Sequence, residues 1–382
     1  MNRAKKVLMV DSLVGNEYTN WLCQAIYNNR FGVELVTTED RKMGEEYTFP
    51  VLFKSPSKEG GQNRLVKLLK YFRYLAELTW LPRQQNADVV HFQFFRRSKF
   101  ESLMFPVLRA LGIKLIHTAH NVVPHESSRI DYFLRNQVYQ SAHVVIVHSQ
   151  RTKEKLISAF ELNPSKIEVI PMGTYDNLLP KKTLPRQEAC HKLGIDPCQK
   201  VLLFFGYIRE YKGVDLLLEA FKEVSASIDD VTLVIAGKPH TLEMAQKYEA
   251  MIEAHPARDR ILYAPRFIEN GEVATFFGAA DAVALPYKAI DQSAVIHVAH
   301  SFGRPVIATR VGDFNEFVTE GKSGYIAEPN DADSLAGKIE EAFRDREKLA
   351  EMAEFVAELN SRKQSWDDVG RLTIDVYQKA VE

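Results

Sequence analysis

Cysteine is scarce in these 382 residues: Cys23, Cys190 and Cys198 are scattered and odd in number, which argues against a disulfide framework and a zinc site and fits a reducing cytosol. Long apolar runs are also missing. Nowhere do eighteen consecutive apolar residues occur, so no helix is expected to span a membrane, and the run Val7–Val10 after the basic N-terminus is cut off by Asp11 before it could form a signal-peptide core. Charge of one sign is absent as well. The 49 basic and 50 acidic residues leave a net charge of -1, so no overall field gathers nucleic acid and any anion site must be built locally. Finally, the first turn, Asp11 to Asn16, lacks Gly-x-Gly-x-x-Gly, which removes a dinucleotide-dependent dehydrogenase from consideration.

What is present is the composition of a fully folded chain: 46% hydrophobic and 26% charged residues, at a length that fits two cores. Short apolar runs alternate with longer amphipathic stretches, the pattern of parallel sheets with helices on both faces. The expected strands of the first half are Val7–Val10, Val33–Val36, Val89–Phe92, Lys114–His117, Val144–Val147 and Ile167–Ile170. Those of the second half are Val201–Phe205, Thr232–Ile235, Ala282–Leu285 and Pro305–Ala308. The expectation is an α/β chain of two Rossmann-like domains facing a central cleft: residues 1–176, a proline-bearing linker 177–199, and residues 200–365. A last helix, 366–382, has no strand after it and is free to pack back on the first domain.

Ligands of such sheets sit at the carboxyl ends of strands, where loops lead into helices. The segment VLLFFGYIREYKGVDLLLEAF places Gly206, Arg209 and Lys212 between a buried strand and a helix opening at Gly213. Unpaired amides and the helix dipole favour an anion there by roughly 0.3–1 kcal/mol, and the two cations suit a diphosphate. The competing reading is a solvated surface loop. Further on, the strand Ala282–Leu285 breaks at Pro286, and Gln292, Ser293 and Ala294 open a helix running through His300, with Lys288 close in sequence. That helix start is either a second phosphate site or an ordinary cap.

The order Gly206-x-x-Arg209-x-x-Lys212-Gly213, Ala280-Asp281 to Pro286-Tyr287, Gly303-x-Pro305-Val306-Ile307-Ala308 and Val311-Gly312 to Glu316 resembles glycosyltransferase family 4. His117-Thr118-Ala119-His120-Asn121-Val122-Val123-Pro124 and Val169-Ile170-Pro171-Met172-Gly173 extend the resemblance over nearly the whole chain. It implies a GT-B fold and transfer of a hexose from a nucleotide diphosphate sugar, with retention, no catalytic metal and no cofactor. Arg209 and Lys212 match the family's diphosphate-binding pair, and His120 matches a first-domain histidine near the transferred sugar; without that match His120 reads as a loop histidine bonded to backbone.

The family's Glu-x7-Glu pair is missing, its positions falling on Ile290 and Val298. Asp291-Gln292-Ser293-Ala294 resembles a Gln-Ser-Gly variant of the family. Asp291 is expected to take over contact with the donor sugar as a catalytic residue, and Glu316, His297 or His300 are expected, by proximity in sequence, to approach the nucleotide or its sugar. GDP-mannose is placed slightly ahead of UDP sugars as donor. A member that binds nucleotide sugar or a partner without catalysis is the alternative; an inverting enzyme would need a first-domain base such as Asp11, Glu17 or His120.

The acceptor side is assigned to the first domain, at Asp11, Gly15 and Asn16, with a polysaccharide or lipid-linked glycan as acceptor. Asn63 to Leu81 reads as an amphipathic helix, with Leu65, Leu68, Leu69, Phe72 and Leu75 on one stripe and Arg64, Lys67, Lys70 and Arg73 on the other half. Such a helix either turns its stripe to the core or rests on anionic lipid at the inner face of the cytoplasmic membrane.

Overall fold

The computed structural model describes residues 5–12, 17–38, 47–55, 64–95, 98–122, 129–176 and 184–382. The chain divides into two compact units, residues 1–173 with 364–382, and residues 174–363.

The first unit holds β1 (Lys6–Val10), β2 (Gly32–Thr38), β3 (Val51–Ser55), β4 (Val89–Phe92), β5 (Lys114–Thr118), β6 (Val144–Val147) and β7 (Ile167–Val169). Their order is β3-β2-β1-β4-β5-β6-β7, every pairing parallel. Because side chains alternate along a strand, each strand serves two cores. Leu8 and Val10 pack with Tyr71, Tyr74, Met104 and Phe105 on one face. Val7 and Met9 pack with Leu22, Ile26, Val369 and Tyr377 on the other. Helix Trp366–Val381 therefore belongs to this unit, lying on helix Glu17–Asn28 with Gly370 against the backbone of Ala25.

The second unit holds β8 (Lys200–Phe205), β9 (Val231–Ala236), β10 (Ile261–Ala264), β11 (Ala282–Leu285), β12 (Val306–Thr309) and β13 (Gly324–Ala327), in the order β10-β9-β8-β11-β12-β13, again all parallel. The described part of the stretch expected as a linker carries helix Arg186–Leu193 and is integral to this unit. Arg186 holds it there, donating to Asp281 Oδ2 at 2.9 Å and to the carbonyl of Ala279 at 2.5 Å.

All ten expected strands are present, within two residues at each end. The three that the sequence did not mark, β3, β10 and β13, are all edge strands. An edge strand has one neighbour and needs a less continuous apolar run, and in β10 all four residues are only half-buried.

In each sheet one inner strand has its successor in the chain on one side and a later strand on the other: β1 lies between β2 and β4, and β8 between β9 and β11. These are the switch points at which open α/β sheets form binding crevices.

Candidate functional site

The switch point of the second unit gathers the residues expected to meet phosphate. β8 ends at Gly206, whose φ of +109° lies in a region that side chains avoid. A Cβ there would sit 3.3 Å from Lys212 Nζ and 3.6 Å from Val295 Cγ2, so the absent side chain leaves the strand end, the lysine and the first turn of helix Ala294–Ser301 in one place. Gly213, with φ +68°, closes the short turn Glu210–Lys212 and starts helix Val214–Ser227. Its missing Cβ would lie 1.9 Å from the carbonyl oxygen of Pro286, so the loops after β8 and β11 are in backbone contact.

Lys212 is the unusual member. It is buried, 9% exposed, with its ammonium over the ring of Tyr287 at 5.3 Å, and among the described residues it forms no ion pair. Burial pushes its pKa down to about 8, the Arg209 guanidinium adding to the shift. Arg209 itself is exposed. The two cations differ in setting: one is held inside the protein, the other reaches into solvent.

The loop after β11 brings Asp291, Gln292 and Ser293 in buried, with Ala294 exposed at the helix start. Ser293 Oγ accepts from the amide of Val295 at 3.4 Å and lies 3.3 Å from Tyr287 Oη. Asp291 accepts through its backbone oxygen from the amide of Asp313, which ties this loop to the turn leading into helix Phe314–Phe317. Glu316 is exposed on that helix.

Two expectations change. Lys288 stands 2.6 Å from Asp215 and 3.8 Å from Glu210, so its charge is already matched by the protein and it is not an open phosphate ligand. His300 lies at the far end of helix Ala294–Ser301, fully buried, its Nδ1 3.1 Å from Lys363 Nζ, and burial pushes it down to about 3. It cannot take a charged role there. His297 is buried against Phe317, ring centres 4.7 Å apart.

The first unit's switch point collects Asp11 after β1, Gln93 after β4 and His120 after β5. Asp11 is fully buried, and Gly15 and Asn16 lie outside the described residues, as do Val123, Pro124 and Asn63. His120 is stacked on Phe94 at 4.0 Å, meets Tyr18 edge-on at 4.9 Å, and bonds through Nε2 to Gln93 Oε1 at 2.9 Å. The reading of it as a histidine bonded to backbone is replaced by one held by rings and an amide side chain. Burial, then the neighbouring His148, hold it well below its ordinary pKa, so it is neutral at pH 7. His91 and His117, both pushed down to about 3, and His148, down to about 4, complete a neutral histidine cluster. Gln93 and His91 were not singled out from sequence. Their signal was two polar residues at alternate positions in the otherwise apolar run Val89–Phe95.

Two all-parallel Rossmann-like units of this architecture define the GT-B class of glycosyltransferase fold. Residues 17–176 match Glycosyltransferase Family 4 and residues 185–358 match Glycosyl transferases group 1. The chain belongs to the family 4-like glycosyltransferases and is an enzyme of that kind. It is 26% identical over 321 residues to a D-inositol 3-phosphate glycosyltransferase of Nocardioides, covering 77% of this chain and 67% of the other. It is 29% identical over 220 residues to the lipopolysaccharide 1,2-N-acetylglucosaminetransferase of Salmonella typhimurium, covering 55% and 56%. Among solved structures, Anabaena Alr3699/HepE in complex with UDP-glucose superposes with a TM-score of 0.80 at 18% identity, over 98% of this chain and 99% of that one.

Proposed function

We propose that the protein transfers a hexose from a nucleotide diphosphate sugar to a polysaccharide or lipid-linked glycan, with retention of configuration and without a catalytic metal. One observation carries the reading: the buried ammonium of Lys212, which no carboxylate neutralises among the described residues, beside Gly206 and the start of helix Ala294–Ser301. A buried cation left unmatched by its own protein is unfavourable until an anion arrives. A diphosphate supplies that anion, with Arg209 reaching it from solvent and the helix amides receiving a further oxygen.

As the bond from the anomeric carbon to the β-phosphate oxygen breaks, negative charge collects on that oxygen, and Lys212 and Arg209 would stabilise it. The acceptor hydroxyl oxygen bonds to the anomeric carbon on the same face, and its proton passes to the leaving phosphate oxygen. His120 belongs to this reading as the first unit's contact to the transferred sugar. GDP-mannose is the donor put forward from sequence; UDP-glucose, held by HepE in its complex, is its competitor.

Three helices of the first unit support contact with a lipid surface. Leu69 and Phe72 on Arg64–Gln84, Leu103 and Val107 on Ser98–Ala110, and Ile130 and Phe133 on Arg129–Ser141 are all exposed, and the rings of Phe72 and Phe100 meet at 5.6 Å. The expected stripe of the first helix divides: Leu75 faces the core with Tyr71, Tyr74, Leu78 and Leu81, while Leu69 and Phe72 turn outward. Lys70, Arg73 and Arg129 stand exposed on the same helices, as an anionic surface requires. No helix of the described residues is long and apolar enough to cross a membrane.

Metal-free calorimetric titration against UDP, GDP, UDP-glucose and GDP-mannose tests the donor reading. One nucleotide should bind, and Lys212→Ala and Arg209→Ala should each lose at least about tenfold in affinity. No binding by either nucleotide would overturn it. Co-sedimentation with phosphatidylglycerol vesicles tests the lipid contact, which Leu69→Asp with Leu103→Asp should abolish.

A further inference from the structure

The first unit contains a continuous hydrogen-bonded chain that ends on His120. Gln93 Oε1 lies 2.9 Å from His120 Nε2, Gln93 Nε2 lies 3.1 Å from His91 Nε2, and His91 Nδ1 lies 2.8 Å from Tyr377 Oη on helix Trp366–Val381. Thr118 Oγ1 adds a second partner to His91 Nε2, at 2.8 Å. Gln93, His91, Thr118 and Tyr377 are each no more than 2% exposed, so water does not compete for these bonds.

The direction of the chain follows from one acceptor that has no hydrogen to give. Met9 Sδ lies 3.4 Å from Gln93 Nε2, and a thioether accepts only, so the amide nitrogen of Gln93 faces Met9 and His91 and its oxygen faces His120. His91 Nε2 then receives the amide proton and carries only a lone pair, and its own proton sits on Nδ1, donated to Tyr377. At the other end Gln93 Oε1 can only accept, so His120 carries its proton on Nε2.

We propose that Gln93 is the positioning residue of His120: through its amide it fixes the Nε2–H tautomer, so that Nδ1 presents a lone pair and His120 accepts a hydrogen bond from a sugar hydroxyl. This rests on the reading of His120 as a sugar contact given above. Among the described residues Nδ1 has no hydrogen-bond partner, while the stack on Phe94 and the edge of Tyr18 fix the ring plane. His91 and Tyr377 act one step further back, holding the amide in the orientation that serves His120. Among the described residues the groups in contact with the ring, Phe94, Tyr18, Gln93 and His148, are uncharged; the neutral His91 and His117 lie next, and the Arg135 guanidinium is the charge that acts on it from beyond them. A wrong tautomer would offer a sugar hydroxyl an N–H instead of a lone pair, a defect that leaves the fold unchanged and removes the contact.

The test pairs a spectroscopic readout with kinetics on the full chain. Long-range 1H–15N spectra of the histidine rings should show His120 protonated on Nε2 in the wild type, assigned by loss of its lines in His120→Ala. Gln93→Leu should mix the tautomers of His120 and lower kcat about tenfold while the KM for the donor stays within about twofold. Gln93→Glu, which keeps an acceptor facing Nε2, should keep the proton there. Gln93→Leu combined with His120→Ala should be no slower than His120→Ala alone. The lines of His117 and His148 and undiminished nucleotide binding identify variants that remain folded. A wild-type His120 protonated on Nδ1, or a Gln93→Leu variant with unchanged tautomer and rate, would overturn the proposal. Full activity of His120→Ala would instead sink the reading of His120 as a sugar contact and the role of Gln93 with it, leaving the tautomer assignment standing.

Discussion

Lys212 shows what a buried cation, unmatched among the described residues, does to its own protein. Its folded pKa of about 8 lies below the ordinary 10.5, so between these values the unfolded chain binds more protons than the folded one. Stability is therefore reduced below pH 8 and recovers as pH rises through 8 toward 10.5, by about 3 kcal/mol in all. Lys212→Met, which keeps the stem and removes the charge, should raise the melting temperature of the free protein at pH 7 by several degrees and at the same time abolish nucleotide binding. A calorimetric scan with and without nucleotide checks both halves. The same titration gives a second expectation: nucleotide affinity of the wild type should fall as pH rises above 8, by up to about tenfold per pH unit, and Lys212→Arg should lose that dependence below pH 10. Sequence placed Lys212 and Arg209 on a loop between a buried strand and a helix start, and the structure has them there, but that Lys212 is buried and Arg209 exposed was not legible. Lys288 looked equivalent in sequence, and only its distance to Asp215 distinguishes it, since Asp215 is 73 positions away in the chain. Polar Gln93 stands out in its apolar run, but its partners could not be read there: they are Met9, His91 and His120, which three strands bring together.

Central strands such as β8 and β11 are nearly continuous apolar runs and were legible, whereas the three strands missed, β3, β10 and β13, all lie at sheet edges; burial alone did not decide this, since β13 is buried throughout and the expected edge strand β7 is only partly so. The amphipathic helix Arg64–Gln84 was recognised and its buried face only in part: Leu75 of the expected stripe turns inward with Tyr71 and Tyr74, while Leu69 and Phe72 turn out. Apolar pattern alone does not distinguish the side that meets the core from the side that meets another apolar phase. The contact between the loops after β8 and β11 makes a sharp prediction. Gly213→Ala would force a side chain to φ +68° and press it onto the Pro286 carbonyl, and should destabilise the second unit by about 3 kcal/mol or more, read by urea unfolding. Ser293→Ala removes a helix cap and should destabilise by only about 1 kcal/mol, with nucleotide affinity reduced several-fold, read by titration.

At the scale of the whole molecule the two units are unequal in kind. Residues 174–363 are one unbroken stretch, while the first unit is assembled from both ends of the chain, and Trp366 is where the ends meet. Its ring packs against Tyr18 and Trp21 and leaves no space for a side chain at Gly173, where a Cβ would come within 2.9 Å. That glycine, noted in the sequence as part of a family motif, is required by this contact. Chains lacking residues 364–382 should lose the first unit to limited proteolysis while a fragment near 174–363 survives and still binds nucleotide, as mass spectrometry of the digest would show.

Helix Trp366–Val381 also sets an order of events during synthesis. By the time the ribosome has made β7, all strands of the first sheet exist, yet Val7, Met9, Leu22 and Ile26 still lack the Val369, Val376 and Tyr377 that cover them. That apolar face must wait, uncovered, for the entire second unit to be translated, which is the kind of delay that recruits chaperones. The second unit can close as soon as it emerges, so the unit that carries Lys212 is expected to be finished before the one that holds His120.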